Sequence, residues 1–219
     1  LDPELDPELD PELRLPVPDE DAREEAQALL DDLFGRDYDE AAKLPETQRY
    51  DALKELAAEI YSLCPDEDDP VIRYVLLDMA IRISTESGDP DLTTEIIDDV
   101  SAQFDVDDLP LRVTAVNLWA KQAMENYRGE ELLQIRLQLL DLIVPLAERA
   151  ESEDRYGMAA ELHALASKQA NSERQADFRK RGLALQKKAE VHDRMMKLAE
   201  ELESPGEDLS IEDIAKKHL

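Results

Sequence analysis

The sequence predicts an all-α fold, a tetratricopeptide-like α-solenoid of stacked antiparallel helix pairs with about eight helices. Three observations carry that expectation. Apolar residues recur at i, i+3 and i+4 along most of the chain, the period of one helical face. The residues between those stretches are helix starts and stops, with Asp-Pro at 69–70 and 89–90 and Gly at 35, 88 and 129. Glycine is scarce, 6 in 219 residues, beside 42% apolar and 36% charged residues, a balance suited to amphipathic helices rather than turn-rich sheets.

The chain opens with Leu-Asp-Pro-Glu repeated three times, followed by Leu13. Pro3, Pro7 and Pro11 lack helix donors and clash with preceding carbonyls, so no regular helix forms there. An extended, acidic, polyproline-like arm is expected over residues 1–18. Its Leu1, Leu5, Leu9 and Leu13 are candidate contacts for a groove, either in the same chain or in another copy.

A helical-repeat domain is expected over 19–203. The first helix spans about Asp19 to Phe34, with Ala26, Leu29, Leu30, Leu33 and Phe34 as one stripe and Gly35 as its stop. A short turn over Tyr38 to Lys43 leads to the second helix, which lies between Pro45 and Pro65. Asp69-Pro70 and Asp89-Pro90 open the third and fourth helices, and Gly88 ends the third. Pro110 opens the fifth and Gly129 closes it. The sixth, about Glu130 to Ala150, is apolar nearly all round and is expected to be the most buried, with a bend at Pro145. The seventh covers about Asp154 to Ala170, and the eighth about Ser172 to Leu202. Residues 204–219 read as a linker and a short C-terminal helix capped at Ser210. The unit formed by the third and fourth helices is about 38 residues long, close to a tetratricopeptide period, although Thr93 stands where that pattern has a smaller residue.

Several segments carry a family resemblance in their order and spacing. They are Leu15-Pro16-Val17-Pro18-Asp19-Glu20, the run Asp69-Pro70-Val71-Ile72-Arg73-Tyr74-Val75-Leu76-Leu77, Ser87-Gly88-Asp89, Phe104-Asp105-Val106-Asp107-Asp108-Leu109, and Asp154-Arg155-Tyr156 before Ala159-Ala160. Over roughly residues 15–200 the chain resembles an uncharacterised bacterial family of tetratricopeptide-like helical regions found in large modular proteins. The resemblance implies the helix-pair fold. The family has no assigned activity, so it implies no functional residue. The proline arm and the tail after Glu203 depart from its pattern.

The formal charge is −29 and lies mostly in one half. Residues 1–110 hold 34 acidic against 8 basic residues, whereas 111–219 hold 20 against 17. That field repels phosphate backbones, so nucleic acid is not an expected partner. No run is long and apolar enough for a membrane span. The chain begins at Leu1 rather than Met and lacks a basic–apolar leader pattern, so no compartment follows. Cys64, the single cysteine, is expected to be a small inert thiol.

Catalytic and metal chemistry find no pattern. His163 and His192 have no metal-ligand or base partner at helical spacing and are expected as solvated or edge histidines. The acidic loops at 66–69 and 105–108 lack the glycine of a calcium loop and lead into helices, so their aspartates read as N-caps. No phosphate-cradling glycine loop, nucleophile elbow or zinc-protease motif occurs. No catalytic residue, metal ligand or cofactor is therefore assigned. Within the eighth helix, residues 172–197 hold 8 basic against 4 acidic residues. Arg179, Lys180, Arg181, Lys187 and Lys188 there, with Tyr156 beside a turn, are candidate interaction residues. The expected function is a non-catalytic protein-interaction or structural scaffold. Its partner is a protein or peptide, another copy of the chain included, and the arm is one route to self-assembly. The alternative is a small-molecule or cation binder, or an enzyme whose pocket is built from distant helices.

Overall fold

The computed structural model describes residues 14–203. Leu1, Leu5, Leu9 and Leu13 of the arm, and the expected helix within 204–219, lie outside the described residues. Eight α-helices follow one another among the described residues: α1 Glu20–Ala42, α2 Glu46–Leu63, α3 Pro70–Ser87, α4 Pro90–Gln103, α5 Asp108–Asn126, α6 Gly129–Ser152, α7 Tyr156–Gln169 and α8 Ser172–Glu203. A 3₁₀ turn at Cys64–Asp66 follows α2. Within each unit helices adjacent in sequence pack together, α1 on α2, α2 on α3 and α3 on α4 in one, α6 on α7 and α7 on α8 in the other, so the fold is all-α and built of stacked antiparallel pairs. No described helix is long and apolar enough to cross a membrane. The chain divides into two compact units, Leu1–Glu125 and Asn126–Leu219.

In the first unit α3 is the central helix. It packs against α1, α2 and α4, and ten of its residues, from Val75 to Ser87, are buried. The expectation that the sixth helix is the most buried is thus corrected, because Leu133 and Leu137 of α6 are exposed. A helix apolar on many sides is buried only where neighbours surround it, and α3 has them. Asp69 caps α3 by accepting from the amides of Val71 and Ile72. Asp89 caps α4 by accepting from the Leu92 amide. Gly88 sits between them at φ 72°, the left-handed stop expected of it. The carbonyls at the end of α3 are bonded from α5: Trp119 Nε1 donates to the Thr85 oxygen at 3.1 Å, and Gln122 Nε2 to that of Glu86 at 3.0 Å. Residues 14–19 lead into α1 outside any helix. Leu15 forms one parallel bridge with Phe104, donating to the Gln103 carbonyl and accepting from the Asp105 amide, each at 2.8 Å.

Two glycine assignments are corrected. Gly35 does not end the first helix, and α1 runs through it to Ala42. Tertiary contact outweighs the local stop signal. Ala41 is buried, and the Tyr38 hydroxyl donates to Glu86 Oε2 on α3 at 2.7 Å. The expected turn at Tyr38–Lys43 is therefore the last stretch of α1. A Cβ added at Gly35 would meet nothing within 4 Å. Gly35→Ala is accordingly expected to raise stability by about 0.5–1 kcal/mol, read as a higher thermal midpoint by circular dichroism. A lowered midpoint would show that the glycine is needed. Gly129, likewise, does not close the fifth helix. α5 ends at Asn126, and Gly129 opens α6 at φ 62°.

In the second unit α6 packs on α7 and α7 on α8. Leu139, Leu140, Ile143, Ala147 and Ala150 of α6 are buried, as are Ala159, Leu162 and Ala166 of α7 and Leu185 of α8. Pro145 lies inside α6. α7 and α8 approach closely at Gly182, where a Cβ would lie 3.3 Å from the Ala160 carbonyl and 3.4 Å from His163 Cβ.

Candidate functional site

The apolar stripe of α1 is wider than the face its neighbours cover. Ala26 and Leu30 are buried in the core. Leu29 and Leu33, one turn apart beside them, are exposed, Leu33 by 66%. Leu63, the last residue of α2, is also exposed. With Ile72 and Leu76 of α3 these side chains line a groove of roughly 640 Å³. Asp32, Asp66 and Glu67 line it as well and supply its acidic groups. The turn that carries Asp66 and Glu67 is held in place. Glu67 Oε1 accepts from the Asp69 amide, and the Glu67 carbonyl accepts from Arg73 Nε, both at 2.8 Å. Cys64 in the same turn is buried. Burial, reinforced by the nearby Asp99 carboxylate, pushes its thiol up to about 12, so it stays protonated and is no nucleophile.

The basic residues singled out in the eighth helix do not form one patch. Arg181 Nε donates to Glu151 Oε1 on α6 at 2.9 Å. Lys188 Nζ sits 4.0 Å from the centroid of the Tyr156 ring, a cation–π contact. Tyr156 is half-buried, packs edge-on against His192 at 5.7 Å, and donates from its hydroxyl to Asp154. Arg179 lines a separate groove of roughly 590 Å³ between α7 and α8, with Lys168, Gln175 and Gly182. Lys180 and Lys187 are exposed. Their spacing to Val191 and Met195 places all four on one face of α8.

The expectation of a solvated or edge His163 is corrected. Its side chain is 1% exposed, and its Nε2 lies 2.9 Å from Glu151 Oε1. Phe178 of α8 stacks on its ring. Nδ1 has no hydrogen-bond partner among the described residues, so a proton there would be a buried donor without an acceptor. The proton belongs on Nε2, donated to Glu151. Partial burial pushes the Glu151 carboxyl up, but the hydrogen bonds from His163 and Arg181 outweigh it and hold the carboxyl below the usual glutamate range. His192 is part-exposed, as expected.

The acids of the 66–69 and 105–108 loops serve the helix starts and their neighbours. Besides the Asp69 cap, Asp107 Oδ1 accepts from the Leu109 amide, and Arg112 bridges Asp108 and Asp98. No group of three His, Cys, Asp or Glu side chains is placed to hold a metal among the described residues.

Fold and geometry define a class: an all-α protein of stacked helix pairs that carries an open apolar groove with acidic side chains in its lining. No family model, curated protein or solved structure matches the chain.

Proposed function

We propose that the protein is a non-catalytic docking scaffold, and that its α1–α3 groove takes an amphipathic helix with apolar residues flanked by Lys or Arg. The observation that carries this is the exposure of Leu29 and Leu33 beside Leu63, with Asp32, Asp66 and Glu67 lining the same groove. Covering a leucine fully is worth about 1.5–3 kcal/mol, so three neighbouring ones supply a driving force that a scattered surface lacks. The acidic lining then selects cations over anions, most strongly at low salt. Leu29 and Leu33 at i, i+4 form a ridge of the kind that a second helix accepts between its own side chains. The helix-pair fold agrees with a binding role.

The test uses the full chain and two labelled helical peptides, one of Leu and Lys and one of Leu and Glu, with the same apolar spacing. The Leu/Lys peptide is expected to bind, with weaker affinity as salt rises, and the Leu/Glu peptide to bind at least about tenfold less tightly. The double variant L29E/L33E is expected to lose the Leu/Lys peptide by a similar factor. Equal binding of both peptides, or full binding by L29E/L33E, overturns the proposal.

A further inference from the structure

α8 is much longer than its partner, 32 residues against 14 for α7. At 1.5 Å per residue that is about 48 Å against about 21 Å. His192 meets Tyr156, the first residue of α7, so the residues of α8 beyond His192 run past the start of α7. The stripe of α8 that faces α7 includes Phe178, Gly182, Leu185 and His192, and its next member is Met196. Met196 is 58% exposed, an apolar side chain on a core-facing stripe with no α7 left to cover it. Val191 and Met195 are exposed too, Met195 by 65%. Lys187 and Arg194 lie beside Val191 and Met195 on their face of α8 and are exposed, whereas Lys197 lies on the opposite face with the exposed acids Glu190 and Asp193. The chain thus carries an apolar groove lined with acids and, on a different element, a helix face on which Val191 and Met195 lie beside Lys187 and Arg194.

We propose that the end of α8 around Val191–Met196 in one copy occupies the α1–α3 groove of a second copy. This rests on the docking role proposed above and names its occupant. The match is chemical on both counts. Val191 and Met195 supply the apolar side chains that Leu29, Leu33 and Leu63 lack as neighbours, and an unbranched methionine adapts to an irregular groove. Lys187 and Arg194, beside Val191 and Met195, supply the charge opposite to Asp32, Asp66 and Glu67. The two surfaces differ, so the contact is head-to-tail rather than two-fold. Each added copy brings a further groove and a further α8 end, and association grows with concentration.

Light scattering on the full chain tests this. At low salt the mass is expected to rise above the monomer's 24.8 kDa as concentration increases, and to fall back as salt is added. The variants L29E/L33E and V191E/M195E are each expected to remain monomeric alone, with unchanged helix content because every substituted residue is exposed. Mixed in equal amounts they retain one intact groove and one intact α8 end between them, so the mixture is expected to form a dimer and stop there. A wild-type chain that stays monomeric up to about 200 μM overturns the self-pairing, as do assembly by either variant alone or a mixture that remains monomeric. If the self-pairing fails while the Leu/Lys peptide still binds, the docking groove stands and only its occupant is wrong. If the peptide also fails, both proposals fall.

Discussion

Replacing Trp119 by alanine is expected to destabilise the first unit by about 3–5 kcal/mol. Trp119 is 7% exposed, on α5. Its truncation removes a large buried side chain and leaves a void that close-packed helices fill only in part. It also leaves the Thr85 carbonyl without the indole donor that bonds it at 3.1 Å. A domain of this size has roughly 5–15 kcal/mol of stability in all, so the loss is a large share. Trp119→Phe separates the contributions, since it keeps most of the apolar volume but not the bond, and is expected to cost about 1–2 kcal/mol. Urea unfolding followed by circular dichroism reads both variants. Trp119 is the only tryptophan, so fluorescence follows the first unit in the wild type. An unchanged urea midpoint in Trp119→Ala would show that α5 does not depend on this contact.

The helix boundaries legible in the sequence are those decided by local chemistry. Asp69-Pro70, Gly88 and Asp89-Pro90 each act within one turn, through a carboxylate on nearby amides or a left-handed backbone, and each stands where its residue type predicts. The boundaries that were not legible depend on distant partners. Gly35 reads as a stop until Tyr38 finds Glu86, 48 residues away. Thr93 breaks the repeat pattern by size, yet it is completely buried. Its hydroxyl donates to the Asp89 carbonyl at 2.7 Å and lies 3.0 Å from Ser84 Oγ, so a polar seam between α3 and α4 accommodates it.

The candidate site divides in the same way. An apolar stripe on α1 was visible, and its width at 26, 29, 30, 33 and 34 was the signal for a groove. Which of those residues stay uncovered depends on where α2 and α3 lie against α1. The charge of α8 was visible too, but not that Arg181 and Lys188 turn to Glu151 and Tyr156 while Lys180 and Lys187 face outward. His163 has no partner at i±4, because that spacing stays on one helix. Its partner Glu151 lies on α6, and helix packing alone brings the two together.

That His163–Glu151 contact sets the second large effect. Glu151→Ala is expected to cost about 2 kcal/mol near neutral pH, because it leaves the buried Nε2–H of His163 without an acceptor. The part contributed by Arg181 is smaller, since that side chain is 52% exposed and its pairing is screened by solvent. Glu151→Gln keeps an acceptor for His163 and removes the charge, so it is expected to lose less. The pH dependence has a definite sign. The Glu151 carboxyl is held below its ordinary value of 4.5 in the folded protein. The stability it contributes is therefore fully present above about pH 4.5 and is lost as pH falls through the folded value. The difference in unfolding midpoint between wild type and Glu151→Gln should shrink as pH falls below that point. A difference that stays constant under acid would mean that the carboxylate charge is not what holds this contact. A difference that grows under acid would reverse the sign of the coupling altogether.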